Sequence, residues 1–187
     1  MDRWVAWAMA VAACARPEGT SGAALQQPEH VESRLPLQVT PRIRGTSPAI
    51  AEAITHAQER SPTFKRLVDT ISRSNGLVFV HQGVCGRGVR ACLVLGLTHA
   101  GPYRMLHIRV DNKKRGVDLM VSIGHELRHA IEVLSDPSVV DTPGIRQFYE
   151  RLAPTNRFRF ETQVAIETEL QIDAELREWT RRQRESE

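Results

Sequence analysis

Val121-Ser122-Ile123-Gly124-His125-Glu126-Leu127-Arg128-His129-Ala130 is the stretch from which the rest of the chain can be read. It sets two histidines four residues apart, with a glutamate directly after the first. Positions four apart lie on one face of an α-helix, so both imidazoles can reach a single metal ion. Glu126 then stands beside the pair, where its carboxylate can take a proton from water that the metal activates. Two neutral imidazoles suit zinc, which takes a third protein ligand and leaves a fourth position open.

The flanking residues support a helix here. Leu119, Met120, Ile123, Leu127, Ala130, Ile131 and Leu134 recur every three or four residues and form an apolar stripe. Asp118 caps or favourably charges the start, and Pro137 limits the end. Gly124 in the helix interior costs roughly 1 kcal/mol relative to alanine. Its presence suggests that another backbone, such as a strand, passes close by.

Upstream, Ser47-Pro48 and Ser61-Pro62 each open a helix, with stripes through Ile50, Ala53, Ile54, Ala57 and through Phe64, Leu67, Val68, Ile71. Asn75-Gly76 marks a turn. Three strands follow, at about 77–81, 91–97 (apolar and buried) and 103–110. Short connections between them predict an antiparallel meander. Downstream, Thr142-Pro143 starts a shorter helix, and a long final helix runs from about Phe160. The expected class is α+β, with a short antiparallel sheet of about three strands packed on the motif helix and further helices.

The 187 residues suit one domain with tails. A formal net charge of +3, with arginines dispersed among acids, argues against a nucleic-acid partner. Residues 1–15 hold ten uncharged residues from Trp4 to Ala13, too few to span a bilayer but suited to the core of a secretory signal. Ala13-Cys14-Ala15 offers small residues for signal cleavage. Val11-Ala12-Ala13-Cys14 also resembles the bacterial lipobox, in which Cys14 would be lipidated and attach the protein to a membrane. Export to a periplasmic, extracellular or lipid-anchored location is therefore expected. Residues 16–46, rich in proline and polar residues, read as a linker in which Leu37, Val39 and Ile43 could dock on a domain spanning 47–187. Cys85 and Cys92 flank a glycine-containing loop and can close it as a disulfide, a bond that persists outside the cytosol.

The strands, the loop and the helix carrying Ile123-Gly124-His125-Glu126-Leu127-Arg128-His129-Ala130 resemble the core of a zincin metallopeptidase over residues 77–170. The longer metzincin signature would place glycine and histidine where this chain has Glu132 and Ser135, so the resemblance is to the gluzincin arrangement, with a later carboxylate as third ligand. Asp136, Asp141, Glu150, Glu161, Glu167 and Glu169 are the candidates. Asp136 and Asp141 sit awkwardly near the helix end. Glu150 has familiar gluzincin spacing, whereas Glu161 stands at the entry to the last helix. Phe160-Glu161-Thr162-Gln163-Val164-Ala165 also resembles a junction in small exported bacterial proteins with a GHELxHA core. The resemblance implies zinc-assisted hydrolysis of a peptide or protein substrate, with His125, His129 and Glu161 (or Glu150) on the metal and Glu126 as general base. Tyr149, His107 and Arg128 are candidate oxyanion stabilisers. The strand at 103–110 is expected to pair with extended substrate. A catalytically inactive, zinc-stabilised envelope binding module is the alternative.

Overall fold

Two Ser-Pro steps set the first helices in place. Ser47 and Ser61 each accept a hydrogen bond from the backbone N–H three residues on, at Ile50 and Phe64, and a proline follows each cap in the first turn. The computed structural model describes residues 41–86, 88–111, 113–152 and 160–187. In chain order the elements are β1 (Ile43–Gly45), α1 (Pro48–Arg60), α2 (Pro62–Ser72), β2 (Gly76–Gln82), β3 (Ala91–Ala100), β4 (Tyr103–Val110), α3 (Gly116–Ser135), α4 (Thr142–Leu152) and α5 (Gln163–Glu185). The α+β class holds. Residues 1–15, including Cys14, lie outside the described residues, as does the linker up to residue 40. No helix among the described residues is long and apolar enough to cross a membrane.

The sheet is mixed and four-stranded, in the order β1-β2-β4-β3, rather than a three-stranded antiparallel meander. β2 runs parallel to both β1 and β4, and only β3 and β4 are antiparallel. Burial explains the order. In β4, Leu106, Ile108 and Val110 are fully buried and face the helices, so this strand takes an interior place with partners on both sides. In β3 only Leu93 and Leu97 are buried, and the ladder is interrupted between them, as suits an edge strand. β3 is therefore not the buried strand its composition predicts. β1 falls within the segment read as linker: Ile43 is buried and pairs opposite Val78, so the folded part begins before residue 47.

α3 lies against β2, β3 and β4 on one side and against α1, α2 and α5 on the other. Ile123, Leu127, Ala130 and Val133 are fully buried along it. Its C-terminal end is pinned from the sheet. The buried Arg104 guanidinium donates to the carbonyls of Leu134 (2.5 Å), Asp136 (2.8 Å), Val139 (3.0 Å) and Val133 (3.3 Å). Carbonyls left without partners at a helix end are thereby satisfied by one side chain. From the other side, the Glu175 carboxylate of α5 accepts from Ser61 Oγ (2.5 Å), Thr63 N (2.9 Å) and Thr63 Oγ1 (2.7 Å), tying α5 to the start of α2.

Gly124 is covered by side chains of two other helices and not by a neighbouring backbone or strand. A β-carbon there would collide with Ile172 Cδ1 of α5 and stand 3.2 Å from Phe64 Cδ2 of α2. Gly124→Ala should therefore destabilise the protein by about 1–3 kcal/mol through overpacking, despite the roughly 1 kcal/mol that alanine gains in helix propensity. Urea denaturation checks this, and adding Ile172→Ala should recover part of the loss. An additive double mutant would show that the contact is not the cause.

Candidate metal centre

One turn of α3 separates His125 and His129, and the helix face they share is covered by neighbouring elements, so both are buried. Their Nε2 atoms face each other at 3.2 Å. Glu161, at the entry to α5, brings Oε2 to 3.1 Å from His125 Nε2 and 3.9 Å from His129 Nε2. Ligand atoms around a tetrahedral ion with bonds near 2.05 Å stand about 3.3 Å apart, which is close to this spacing. His125, His129 and Glu161 therefore form a group that could hold a metal ion, and their donor atoms need little movement to do so.

Local structure aims Glu161 inward. Phe160 adopts φ 45°, a left-handed conformation that turns the chain, and its ring packs 5.3 Å from that of Tyr149. Thr162 caps α5 by accepting from Ala165 N (3.1 Å), and its hydroxyl donates to Glu132 Oε1 (2.6 Å). The other acids lie elsewhere. Glu150 is exposed on α4, Glu167 accepts from Gln163, Asp136 accepts from Ser138, and Asp141 caps α4 at Gly144 N. Glu169 reaches the opposite nitrogen of His125, with Oε2 2.9 Å from Nδ1 but off the N–H axis, so the contact is an ion pair without an aligned hydrogen bond.

Glu132 carries a role that sequence reasoning missed. Its Oε2 lies 2.9 Å from His129 Nδ1, while Oε1 accepts from Thr162, so one carboxylate orients the second histidine and holds the junction that bears Glu161. A carboxylate behind a metal-ligating imidazole fixes its tautomer and raises its basicity. The available signal was its position three residues after His129, on the same helix face.

The candidate oxyanion residues separate. Tyr149 lines the cleft beside the cluster, and its hydroxyl donates to the His129 carbonyl at 3.1 Å. Burial pushes its phenol above the ordinary range, so it stays a neutral donor. Arg128 Nε lies 3.7 Å from Glu132 Oε1, an ion pair next to the histidines and away from the cleft lining. His107 stacks between Phe79 and His81 and pairs with His81 at 2.9 Å, outside the cluster.

A cleft of about 720 Å³ opens over these groups. Edge strand β3, with Leu93, Val94 and Leu95, forms one wall, and Ile166 and Glu169 of α5 line the opposite side. The disulfide Cys85–Cys92 closes the loop that forms its end. β4 is hydrogen-bonded on both edges, so among the described residues it is β3, and not the strand at 103–110, that has an unpaired strand edge at the cleft. Glu126 is buried, and loss of solvent raises its carboxyl pKa, opposed by the two histidines and by the Leu93 N–H. No family model matches the chain, and neither a curated protein nor a solved structure matches it.

The imidazoles of His125 and His129 facing it hold Glu161 at about 2, below its ordinary 4.5. Burial alone would lower His129, but Glu132 and Glu161 outweigh it and hold the imidazole at about 9 against an ordinary 6.5. In chelator-stripped protein, the stabilisation from Glu161 is thus present above pH 4.5 and lost as pH falls through 2. That from His129 is present below pH 6.5 and lost as pH rises through about 9. Glu161→Gln should lower the Tm of stripped protein most between pH 4.5 and 6.5, with the gap to the parent closing on both sides in thermal scans.

Proposed function

We propose that this chain is a zinc-dependent peptidase of zincin-like, gluzincin-type construction. The observation that carries the reading is the convergence of His125 Nε2, His129 Nε2 and Glu161 Oε2 beside the buried Glu126, at the floor of an open cleft. Two imidazoles and one carboxylate are a donor set suited to catalytic zinc, as opposed to the closed thiolate-rich sets of structural zinc. Zinc held there supplies Lewis-acid polarisation of a carbonyl and acidifies water.

The chain's own residues supply the rest. Glu126 takes a proton from the attacking water on its carboxylate and returns it to the leaving amine; its burial moves its pKa toward the range useful for both transfers. The Leu93 N–H of β3 favours the charged form of that carboxylate. Glu132 holds His129 from behind. The free edge of β3 offers backbone groups to an extended peptide, which would lie across the cleft in strand pairing. Tyr149 could meet an oxyanion only by giving up its bond to the His129 carbonyl; in the present geometry it steadies that turn of α3. The Cys85–Cys92 bond supports an oxidising compartment, and with the signal-like residues 1–15 it favours export.

Zinc content and hydrolysis test the reading together. The purified parent should carry about one zinc per chain, and Glu161→Ala clearly less. Glu126→Gln should keep its zinc and lose about 10²–10⁴-fold in peptide hydrolysis. A folded parent that takes up no zinc, or full hydrolysis by Glu126→Gln, would end the proposal. Zinc retention with no turnover by the parent on any peptide would leave a metal-stabilised binding module instead.

A further inference from the structure

Alternate residues of a strand point to opposite faces of a sheet, and here the two faces differ in chemistry. Val78, Val80, Leu106, Ile108 and Val110 are fully buried on the face that the helices cover. The opposite face carries basic and aromatic side chains. Strand register lines them up in two rows across the sheet: Arg44, Phe79 and His107 in one, His81 and Arg109 in the next. The Arg44 guanidinium lies 5.6 Å from the Phe79 ring centroid, and His107 stacks on the same ring at 5.5 Å. Arg42, just before β1, lies 3.9 Å over the Tyr103 ring and donates to its hydroxyl at 3.1 Å. Arg109 is exposed, with its stem over Gly83. No carboxylate answers these charges. Among the described residues, Arg42, Arg44 and Arg109 form no ion pair, whereas Arg177 and Arg181 on α5 pair with acids. Burial, His81 and Arg109 hold His107 below its ordinary range, and no acid opposes them. Asp111, next along the chain, lies beyond the end of β4 and accepts from Lys113 N.

We infer that this face docks the protein on an anionic membrane surface, with Arg42, Arg44 and Arg109 contacting lipid phosphates. The inference is independent of the peptidase reading. Charge complementarity sets the sign of the partner, and the distribution of charge sets its kind. The basic groups span β1, β2 and β4, strands about 5 Å apart, so they form a two-dimensional array and not the line that one extended acidic peptide would follow. The aromatic rings are already covered by Arg42, Arg44 and His107, which leaves little ring face on which the bases of a nucleic acid could stack. A guanidinium held on a ring keeps N–H donors for phosphate oxygens. The expected lipid on Cys14 would hold the domain beside such a surface. Docking would then turn the opposite side of the sheet, where α3 carries the histidines, away from it.

The test uses the full chain with Cys14→Ser, so that no acyl chain contributes. Co-sedimentation is measured with vesicles of phosphatidylcholine and with vesicles of equal parts phosphatidylcholine and phosphatidylglycerol. The anionic vesicles should bind about tenfold or more tightly, and high salt should bring them down to the neutral level. Arg42→Gln, Arg44→Gln and Arg109→Gln combined should remove the preference. Arg181→Gln, Arg182→Gln and Arg184→Gln on α5 change the net charge equally and should keep it. Because Arg42 and Arg44 stack on rings, the exposed Arg109→Glu is read alongside; it should weaken anionic binding about fivefold or more with Tm unchanged. Equal binding to both vesicles, a preference that survives the substitutions on the sheet face, or its loss in the α5 variant would overturn the inference. So would tighter binding of a Glu-rich peptide or a single-stranded oligonucleotide than of the anionic vesicles, which would assign the face to a different partner.

Discussion

The packing of α5 on α3 around Gly124 is the constraint on which the site depends. The two histidines belong to α3, but the third donor arrives with the entry to α5, more than thirty residues later in the chain. Glycine at 124 leaves room for the Ile172 and Phe64 side chains to pack over α3 where a β-carbon would stand. Polar contacts then hold the helices together. Glu132 reaches from α3 to Thr162 at the head of α5, and Glu175 reaches from α5 to Ser61 and Thr63 at the head of α2. Arg104 restrains the other end of α3 from the sheet. The histidine helix is thus held at its C-terminal end and along one flank, which is what positioning of metal ligands requires.

The cluster needs positive charge, from a cation or from protons, to be stable. Two imidazoles and the carboxylates of Glu126, Glu132 and Glu161 are gathered in a largely buried space, where an uncompensated charge is costly. In the metal-free chain, protons supply the compensation, and His129 is held at about 9 for that reason. A metal ion at the same place has to displace those protons, so occupancy is coupled to pH and to folding. Departures from ordinary core composition of this kind are concentrated at sites where stability is traded for chemistry.

How much of this was legible beforehand depended on sequence distance. The histidine spacing, the Ser-Pro helix starts and the Cys85–Cys92 pairing are local, and periodicity or turn chemistry announces them. Glu161 could be set above Glu150 because its aromatic and threonine neighbours suggested a fixed helix entry, yet only the packing of α5 brings it to the histidines. The sheet order was not legible. Whether β2 pairs with β3 or with β4 depends on contacts across the chain, and short connections favour the wrong neighbour. β1 carries no period in its three residues, and Ile43 alone marks it as able to dock. Glu132 escaped because a glutamate on a helix ordinarily faces water.

The disulfide connects these points to the cleft. A bond closing a loop as short as 85–92 removes only about 2.5 kcal/mol of chain entropy from the unfolded state, less than a long-range cross-link would. Its placement is therefore better understood through what the loop adjoins. It leads directly into β3, the strand that forms one wall of the cleft. Leu93, the residue immediately after Cys92, lies in that wall beside the buried Glu126. Closing that loop restrains the start of the cleft wall. That accounts for covalent restraint at the edge strand, where the ladder is already broken and hydrogen bonding alone holds the chain least firmly.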